Sequence, residues 1–436
     1  MNSALKPLHF KPLNGVRIVV WSAFAFILLT LPALFTSSFA MTLLCLTGIA
    51  AVACMSYNML LGQTGMLSFG HAVYTGLGTF VAIHAMNKIV GGWWIPMWMI
   101  PLVGGLAGLA FGALLGYVTT RKSGTPFAMI TLGIGELVFA SALMFPEFFG
   151  GEAGINSNRT AGKEMWVNLG LSFGPQLQVY YLIAIYLFVC TAAMYAFTLT
   201  PLGRIANAVR DNAERAEFVG YDTRLVRYLV LMASSFFAGI AGGLTAINVE
   251  AATADLLHGV RSGSYLLFTF LGGVGFFFGP IIGSVLLVFS LVVLSEYTKA
   301  WQLYVGIVFL IMVVYAPGGF SALIMLNLRR VKYGEWRKMR WPYAGMLFFG
   351  LVALWGLAAI VEMAYQLKVV EGSGAALTVA RIPLNCESLT SWLIALAVLA
   401  VGGAGFEYWR RKFVAVWDAG EARIAEAIKK AEAAIV

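Results

Sequence analysis

Two ionisable side chains lie inside long apolar runs and are the first candidates for chemistry. Glu136 lies in the run ITLGIGELVFASAL, and His71 lies among glycines and hydroxyl residues in GQTGMLSFGHAVYTG. Ionisable groups in membrane segments are rare and are functional candidates by default. Glu136 could hydrogen-bond a ligand ammonium group or a neighbouring helix, whereas His71 could line a path or bond to a backbone carbonyl as a core histidine. Two such groups are too few for a proton relay.

The sequence offers no grouping of residues for catalysis or ATP hydrolysis. The four histidines are far apart: His9, His71, His84 and His258. The Gly-x-x-x-x-Gly-Lys-Ser/Thr phosphate loop is missing, and the pair Gly162-Lys163 lacks the rest of that motif. The cysteines have no metal-ligand spacing. We therefore predict that the chain is not an enzyme and binds no cofactor or metal.

Composition indicates which elements must hold these residues. Of 436 residues, 60% are hydrophobic and 11% are charged, against roughly a quarter charged in soluble domains. A span needs about 20 apolar residues. We predict an all-α polytopic bundle with about ten core spans and about two extra C-terminal spans. The predicted spans are 16–35, 39–61, 67–87, 96–118, 125–146, 179–198, 229–249, 264–278, 281–295, 302–317, 343–364 and 389–407.

The formal net charge of +9 is explained better by topology than by nucleic acid, which requires a basic face on a soluble fold. With the N-terminus inside, most Lys and Arg fall in segments between spans on the cytoplasmic side, as the positive-inside rule requires. We expect both termini in the cytoplasm of a bacterial inner membrane, with lipid as a partner and no nucleic acid. A cleaved signal peptide is the weaker alternative for the first run, which is long for one.

Two glycine-rich stretches, 58–80 and 263–284, interrupt apolar regions. Gly and Pro weaken helices, and irregular backbone at membrane depth is tolerated only where it is buried or lines a cavity. The stretches are entered from opposite sides, as in an inverted repeat around a transport path. The alternative is tight packing of small residues without a path. The predicted path residues are Gly62, Gln63, Gly65, Ser68, Gly70, His71, Glu136, Gly272, Gly273 and Gly275.

The segment 199–228 is the most polar stretch of the first 320 residues. Ile205, Ala208, Val209, Ala216 and Phe218 recur at near-helical spacing, which predicts an amphipathic helix over about 204–220 with a charged outer face. That face carries three arginines and three acids: Arg204, Arg210, Arg215, Asp211, Glu214 and Glu217. A solvated helix between spans is the plain alternative.

Three ordered motifs carry a family resemblance. GQTGMLSFGH at 62–71, the polar segment 203–221 with the helix containing 238–244, and LGGVG at 271–275 with Gly279-Pro280 together resemble the Liv-type permeases of branched-chain amino-acid ABC importers. The resemblance covers roughly residues 20–325.

The resemblance implies an integral-membrane subunit that pairs with a similar permease, two cytoplasmic ATPases and an external solute-binding protein. ATP would be hydrolysed by the partner ATPases, and alternating access would move branched-chain or related amino acids inward. Urea, amides or aromatic acids are alternative substrates within this architecture, and an ion-coupled secondary transporter is the alternative from another class. The predicted ATPase-coupling residues are Arg204, Ala208, Arg210, Asp211, Asn212, Ala216 and Gly220.

The C-terminus departs from the family pattern. We predict a permease domain over 1–325, a basic cytoplasmic linker over 326–342, two extra spans over 343–407 and an amphipathic cytoplasmic tail over 408–436. An interfacial helix is the plain interpretation of the tail, and docking to an ATPase is the alternative. The polar outside segment 147–178 either contacts an external partner or is a solvated connector.

Overall fold

The computed structural model describes residues 15–160, 171–332, 334, 336–369, 376–379, 382–385 and 388–433. Contacts within the chain define two compact units, Met1–Phe289 and Ser290–Val436. This division falls before the predicted boundary at 325, because the last helices of the predicted permease domain form their contacts within the second unit.

The first unit is almost entirely helical. Its helices are α1 (Gly15–Leu34), α2 (Ser38–Thr64), α3 (His71–Val90), α4 (Ile100–Thr119), α5 (Thr125–Met144), α6 (Pro146–Phe149), α7 (Gln176–Leu199), α8 (Pro201–Asp211), α9 (Ala213–Phe218), α10 (Thr223–Val249), α11 (Gly259–Gly272) and α12 (Gly279–Val288). Short 3₁₀ turns at Met97–Met99 and Ala254–Leu257 precede α4 and α11. Strands β1 (Ile155–Asn156) and β2 (Ala251–Ala252) pair antiparallel.

The second unit contains a helical hairpin. After a π-helical turn at Phe289–Leu294 come α13 (Ser295–Tyr297), α14 (Trp301–Tyr315), α15 (Gly319–Lys332), α16 (Trp336–Val369) and α17 (Leu389–Ala433). Strands β3 (Ala376–Val379) and β4 (Ile382–Asn385) pair antiparallel between α16 and α17.

The predicted polytopic helical bundle is confirmed. The described residues include nine helices long and apolar enough to cross a membrane, or ten if α14 and the start of α15, bent by 52°, count as one span. Two predicted spans, 67–87 and 264–278, correspond to α3 and α11, which are outside this set. At 1.5 Å per residue, the 14 residues of α11 extend about 21 Å, short of the roughly 30 Å hydrocarbon core.

Helix α10 is the centre of the first unit, because 78% of the residues in its most apolar stretch are buried. Glycines let its neighbours approach: a Cβ on Gly239 would overlap the Gly104 carbonyl of α4, and one on Gly242 would overlap the Thr75 carbonyl of α3. Lipid is as apolar as leucine, so packing of this closeness, rather than the hydrophobic effect, holds membrane helices together.

Large side chains fit against glycines in the second unit as well. The Trp409 ring of α17 covers Gly345 of α16, and Phe349 of α16 covers Gly405 of α17. A carboxylate within this hairpin was missed by the sequence analysis: Glu362 accepts hydrogen bonds from the Thr298 hydroxyl and from the Tyr304 hydroxyl, the latter at 3.2 Å. These two bonds provide hydrogen-bond donors for a carboxylate that lies within an apolar helix.

The structure adds two features to the predicted C-terminal segments. The segment 326–342 is helical for most of its length, since α15 runs to Lys332 and α16 begins at Trp336. The predicted tail continues α17, a helix of 45 residues. Such a helix is about 68 Å long, twice the hydrocarbon thickness, so part of it lies outside the membrane. Residues 434–436 of the predicted tail are outside the described part.

We expect Gly239→Ala to lower the free energy of unfolding by about 1–3 kcal/mol, because the added methyl overlaps a backbone carbonyl of α4. Thermal unfolding of the purified protein in detergent measures the change. Gly133→Ala on α5 is the matched control, since a Cβ there meets nothing within 4 Å. Equal melting temperatures for the two variants would contradict close packing of α4 on α10.

Candidate functional site

The first glycine-rich stretch is interrupted where α2 ends. Gly65 has a left-handed φ of 68°, its N–H bonds to Leu61 O at 3.1 Å, and the Met66 N–H bonds to Leu60 O at 3.2 Å. The Gly65–Leu61 bond is the one that the αL motif forms where a helix ends at a left-handed glycine. Residues 66–70 then run outside a helix until α3 begins at His71. The predicted break in 58–80 therefore has a local cause.

Side chains from other helices satisfy the backbone of this interruption. The Tyr57 hydroxyl donates to Ser68 O at 2.9 Å and accepts from Ser68 N at 3.1 Å. The Phe69 N–H donates to Thr131 Oγ1 of α5 at 3.1 Å, and the Ala72 N–H donates to Ser262 Oγ of α11 at 2.9 Å. Three helices thus supply what the missing helical turn would have supplied.

His71 is completely buried at the start of α3. Its Nε2 lies 2.9 Å from Ser56 Oγ, so its partner is a side-chain hydroxyl and not the backbone carbonyl that was expected. Among the described side chains, His71 Nδ1 and Ser68 Oγ are buried without a hydrogen-bond partner. In this conformation both residues belong to a packed polar cluster.

The second glycine-rich stretch is interrupted between α11 and α12. Gly273 has φ 116° and α12 begins at Gly279. A Cβ on Gly272 would overlap the Gly279 carbonyl, whereas one on Gly275 would meet nothing within 4 Å. Gly272 is therefore a packing position and Gly275 lies on the surface. The Thr269 hydroxyl of α11 donates to Cys54 O of α2 at 3.3 Å.

Glu136 lies on an exposed face of α5, next to Gly135, where a Cβ would lie 3.6 Å from Gly70 Cα of the first interruption. Its Oε1 would be 3.0 Å from a Cβ on Gly259, the first residue of α11. The positive end of a helix dipole favours an anion at that position. A carboxylate near the middle of a span normally faces protein or water rather than lipid. Its surroundings on α5, Met129 and Leu137, are more than 60% exposed.

The polar segment after α7 is two helices rather than one. Thr200 caps α8 by accepting from the Gly203 N–H at 3.2 Å, and Asn212 is extended at φ −160° and caps α9 by accepting from the Arg215 N–H at 2.9 Å. Residues 201–218, here named the coupling segment, therefore start earlier than predicted and break at Asn212.

The faces of the coupling segment also differ from the prediction at two apolar positions, Ala208 and Phe218, which are both exposed. Ala216 is buried with Val209 and Leu60 in one apolar cluster. Phe218, predicted on the inner apolar face, is 90% exposed, because the break at Asn212 shifts the helical period. Most of the predicted coupling residues are exposed: Arg204, Ala208, Arg210, Asp211, Asn212 and Gly220.

The coupling segment bonds directly to the end of α2. Arg210 Nη1 donates to the Gly62 carbonyl, and the Asn207 amide, which the sequence analysis did not select, donates to Gln63 Oε1 at 3.0 Å. A Cβ on Gly65 would lie 3.1 Å from Arg210 Cγ. Arg210 was expected on the outer charged face, and instead its guanidinium turns back to the carbonyl end of α2. The predicted path residues Gly62, Gln63 and Gly65 thus contact the coupling segment in this structure.

The opposite end of α10 is held by a polar cluster. The Arg159 N–H donates to Glu250 Oε1 at 2.7 Å, and its guanidinium donates to Ile247 O at 3.3 Å and Gln176 Oε1 at 3.2 Å. Residues 155–160 of the predicted outside segment are therefore packed on α10. Residues 161–170 of that segment lie outside the described part.

These features define a multi-pass membrane protein with two interrupted helices and a polar segment bonded to one of them. Residues 39–317 match the family described as "Branched-chain amino acid transport system / permease component". The match covers more than half of the chain, so the chain belongs to this permease family. The whole of α15, α16 and α17 lies beyond the match.

The curated relatives include two proteins named high-affinity branched-chain amino acid transport system permease protein LivM. The relative from Escherichia coli (strain K12) is 26% identical over 302 residues, which are 65% of this chain and 70% of the relative. The relative from Salmonella typhimurium is 26% identical over 309 residues, 66% of this chain and 71% of the relative. No solved structure matches the chain.

We expect Ser262→Ala to lower the melting temperature, because the buried Ala72 N–H would lose its acceptor at a cost of about 1–3 kcal/mol. Differential scanning fluorimetry in detergent measures it. Ser264→Ala, whose hydroxyl bonds to Val260 O within its own helix, is the control and should melt like the wild type. An unshifted Ser262→Ala protein would mean that this bond does not stabilise the interruption.

Proposed function

We propose that this chain is the permease subunit of an ATP-driven importer that moves branched-chain or related amino acids into the cytoplasm. The family membership and the LivM relatives support the amino-acid class. The observation that carries the proposal is the coupling segment: it exposes Phe218 outward and bonds through Arg210 to the end of an interrupted helix. Such a segment is suited to be bound and displaced by another subunit.

The proposal requires partners. Two cytoplasmic ATPases dock on the coupling segment and hydrolyse ATP, since the sequence lacks a phosphate loop. A homologous permease completes the membrane part, and a solute-binding protein delivers substrate from outside. This places the coupling segment in the cytoplasm, both termini on the same side, and the chain in a bacterial inner membrane, in agreement with the distribution of Lys and Arg.

The geometry suggests how movement reaches the membrane. Closure of the ATPases pushes on the coupling segment, and Arg210 carries the displacement to the last carbonyls of α2. The helix dipole favours a cation at the carbonyl end of a helix. The contact between Arg210 and α2 is therefore stabilised, and it can still be broken and re-formed. The interruption with Ser68 and His71 comes next along the chain. Its side-chain hydrogen bonds can break and re-form with other partners as access alternates between the two sides.

Glu136 supplies the argument for a second permease. An exposed carboxylate within a span favours a protein or water neighbour, which the partner permease and a central aqueous path would provide. A carboxylate also attracts the ammonium group of an amino acid. That chemistry favours amino acids over urea or amides, which are uncharged. An ion-coupled transporter is disfavoured, because no described hydrogen bond joins Glu136 to His71, which bonds to Ser56, and two such groups are too few for a relay.

Purification of the tagged chain from its host in mild detergent tests the assembly. We expect mass spectrometry to find two ATPases and a second permease, and we expect Phe218→Ser to reduce ATPase recovery several-fold, because a 90% exposed aromatic ring is typical of a docking anchor. Phe218→Leu should retain most of it. Recovery of the wild-type chain alone, or full recovery with Phe218→Ser, would contradict ATPase docking on this segment.

The variant Arg210→Gln distinguishes docking of the ATPases from transmission of their movement to α2. Its guanidinium donates to the Gly62 carbonyl and also pairs with the neighbouring Asp211 at 2.9 Å. We expect substrate uptake in proteoliposomes to fall roughly tenfold, as for loss of a charge-assisted hydrogen bond, while ATPase recovery stays normal because the exposed Phe218 ring is unchanged. Arg224→Gln, an exposed arginine at the start of α10, is the control and should transport normally. Uptake by Arg210→Gln equal to that of the control would remove Arg210 from the transmission path.

A further inference from the structure

The end of the α16–α17 hairpin nearest Trp336 carries a cluster of exposed cations and aromatic rings. We name it the basic–aromatic cluster, and it consists of Arg337, Arg340, Trp341, Tyr408 and Lys412. Trp341 is 68% exposed and Tyr408 is 55% exposed. Trp409 packs on Gly345 and the Phe413 ring lies 4.7 Å from the Tyr343 ring. This pairing of the two helices places Lys412 within about two helical turns of Arg337 and Arg340 along the hairpin axis.

Nearby acids are occupied by other arginines. Arg330, fully buried, pairs with Glu421 at 2.9 Å and lies 3.3 Å over the Trp417 ring. Glu407 accepts from both Arg410 and Arg411. In the part of the chain that the structure describes, no ion pair joins Arg337, Arg340 or Lys412 to an acid. Among the described residues, therefore, no acid neutralises the positive charge of these three side chains.

Aromatic rings hold two of these cations. Lys412 Nζ lies 4.4 Å from the Tyr408 ring centre, and the Arg340 guanidinium lies 5.8 Å from that of Trp341. Contact with a ring face positions a cation without neutralising it. The cluster is thus already arranged to receive an anion, which reduces the ordering cost of binding.

The neighbouring surface fixes the depth of the cluster in the membrane. One to three helical turns further along α16, Leu347, Phe348 and Leu351 are 57–66% exposed, and such an apolar face is suited to lipid chains. Exposed Trp and Tyr mark the boundary between hydrocarbon and water. The phosphates of the lipid headgroups lie at this boundary, which is the level of Arg337, Arg340 and Lys412.

We propose that the basic–aromatic cluster binds the headgroup of an anionic phospholipid, with the phosphate held by Arg337, Arg340 and Lys412 and the acyl chains lying along the exposed face of α16. Uncancelled charge at headgroup depth favours an anionic over a zwitterionic lipid. The Arg330–Glu421 pair ties α15 to α17 beside the cluster, so the bound lipid anchors the hairpin where the projecting part of α17 leaves the membrane. This function belongs to residues beyond the family match and does not depend on the proposed transport activity.

Native mass spectrometry of the purified full-length chain, with phosphatidylglycerol and phosphatidylcholine titrated in detergent, tests the proposal. The wild-type chain should retain phosphatidylglycerol in preference to phosphatidylcholine, and salt should weaken only the former. Equal retention of the two lipids by the wild-type chain would overturn the proposal without any variant.

The variant Arg337→Gln/Arg340→Gln/Lys412→Gln should weaken phosphatidylglycerol binding on the order of 100-fold, at about fivefold for each cation removed. The control Arg121→Gln/Lys122→Gln/Arg224→Gln removes the same charge from exposed positions of the first unit and should bind like the wild type. Equal weakening in both variants, or no weakening in the first, would show that the cluster is not a lipid site. Thermal unfolding verifies that both variants are folded.

Discussion

A helix that stops inside a packed bundle must find new partners for its backbone, and the first unit is organised around this requirement. Ser68 and His71 are fully buried, so water cannot replace the lost helical bonds there, and each unsatisfied group would cost several kcal/mol. Between α2 and α3 the replacements come from Tyr57, Thr131 and Ser262. The interruption therefore fixes where α5 and α11 must pack, since each has to bring one hydroxyl within about 3 Å of a particular N–H group. The fold around His71 follows from this arrangement.

The same constraint accounts for the contacts between the coupling segment and the end of α2. The last carbonyls of α2 lack helical partners, and Arg210 and Asn207 approach them from α8. A displacement of α8 therefore changes the hydrogen bonds that the end of α2 receives within the interrupted stretch. It does not merely change the packing against a regular helical surface. Packed interfaces tend to have discrete arrangements and amplify small shifts. A helix end held by a few hydrogen bonds is a suitable element for such a two-state response.

The sequence was sufficient to predict features with local causes. Glycine density located both interruptions, because Gly65 and Gly273 need backbone angles that other residues avoid. Long apolar runs located the helices. Features that depend on distant partners were not predictable: nothing near Ser262 in the sequence indicates that it receives the Ala72 N–H, 190 residues earlier. The exposed position of Phe218 was missed for another reason. Asn212 is a common N-cap residue, and the helical period was extended across it.

The hairpin of α16 and α17 shows that membrane helices associate by shape. Three glycines of the sequence GGAG lie within α17 without ending it, although the same residue ends α2. At two of them the neighbouring helix occupies the space: Phe349 fills the place of a side chain at Gly405, and the α16 backbone at Ala353 approaches Gly402. The missing Cβ atoms are used there for contact between helices. At Gly65 the missing Cβ permits a left-handed backbone instead. Glycine in a membrane helix is therefore compatible with close approach as well as with termination, and the residue type alone does not decide between them.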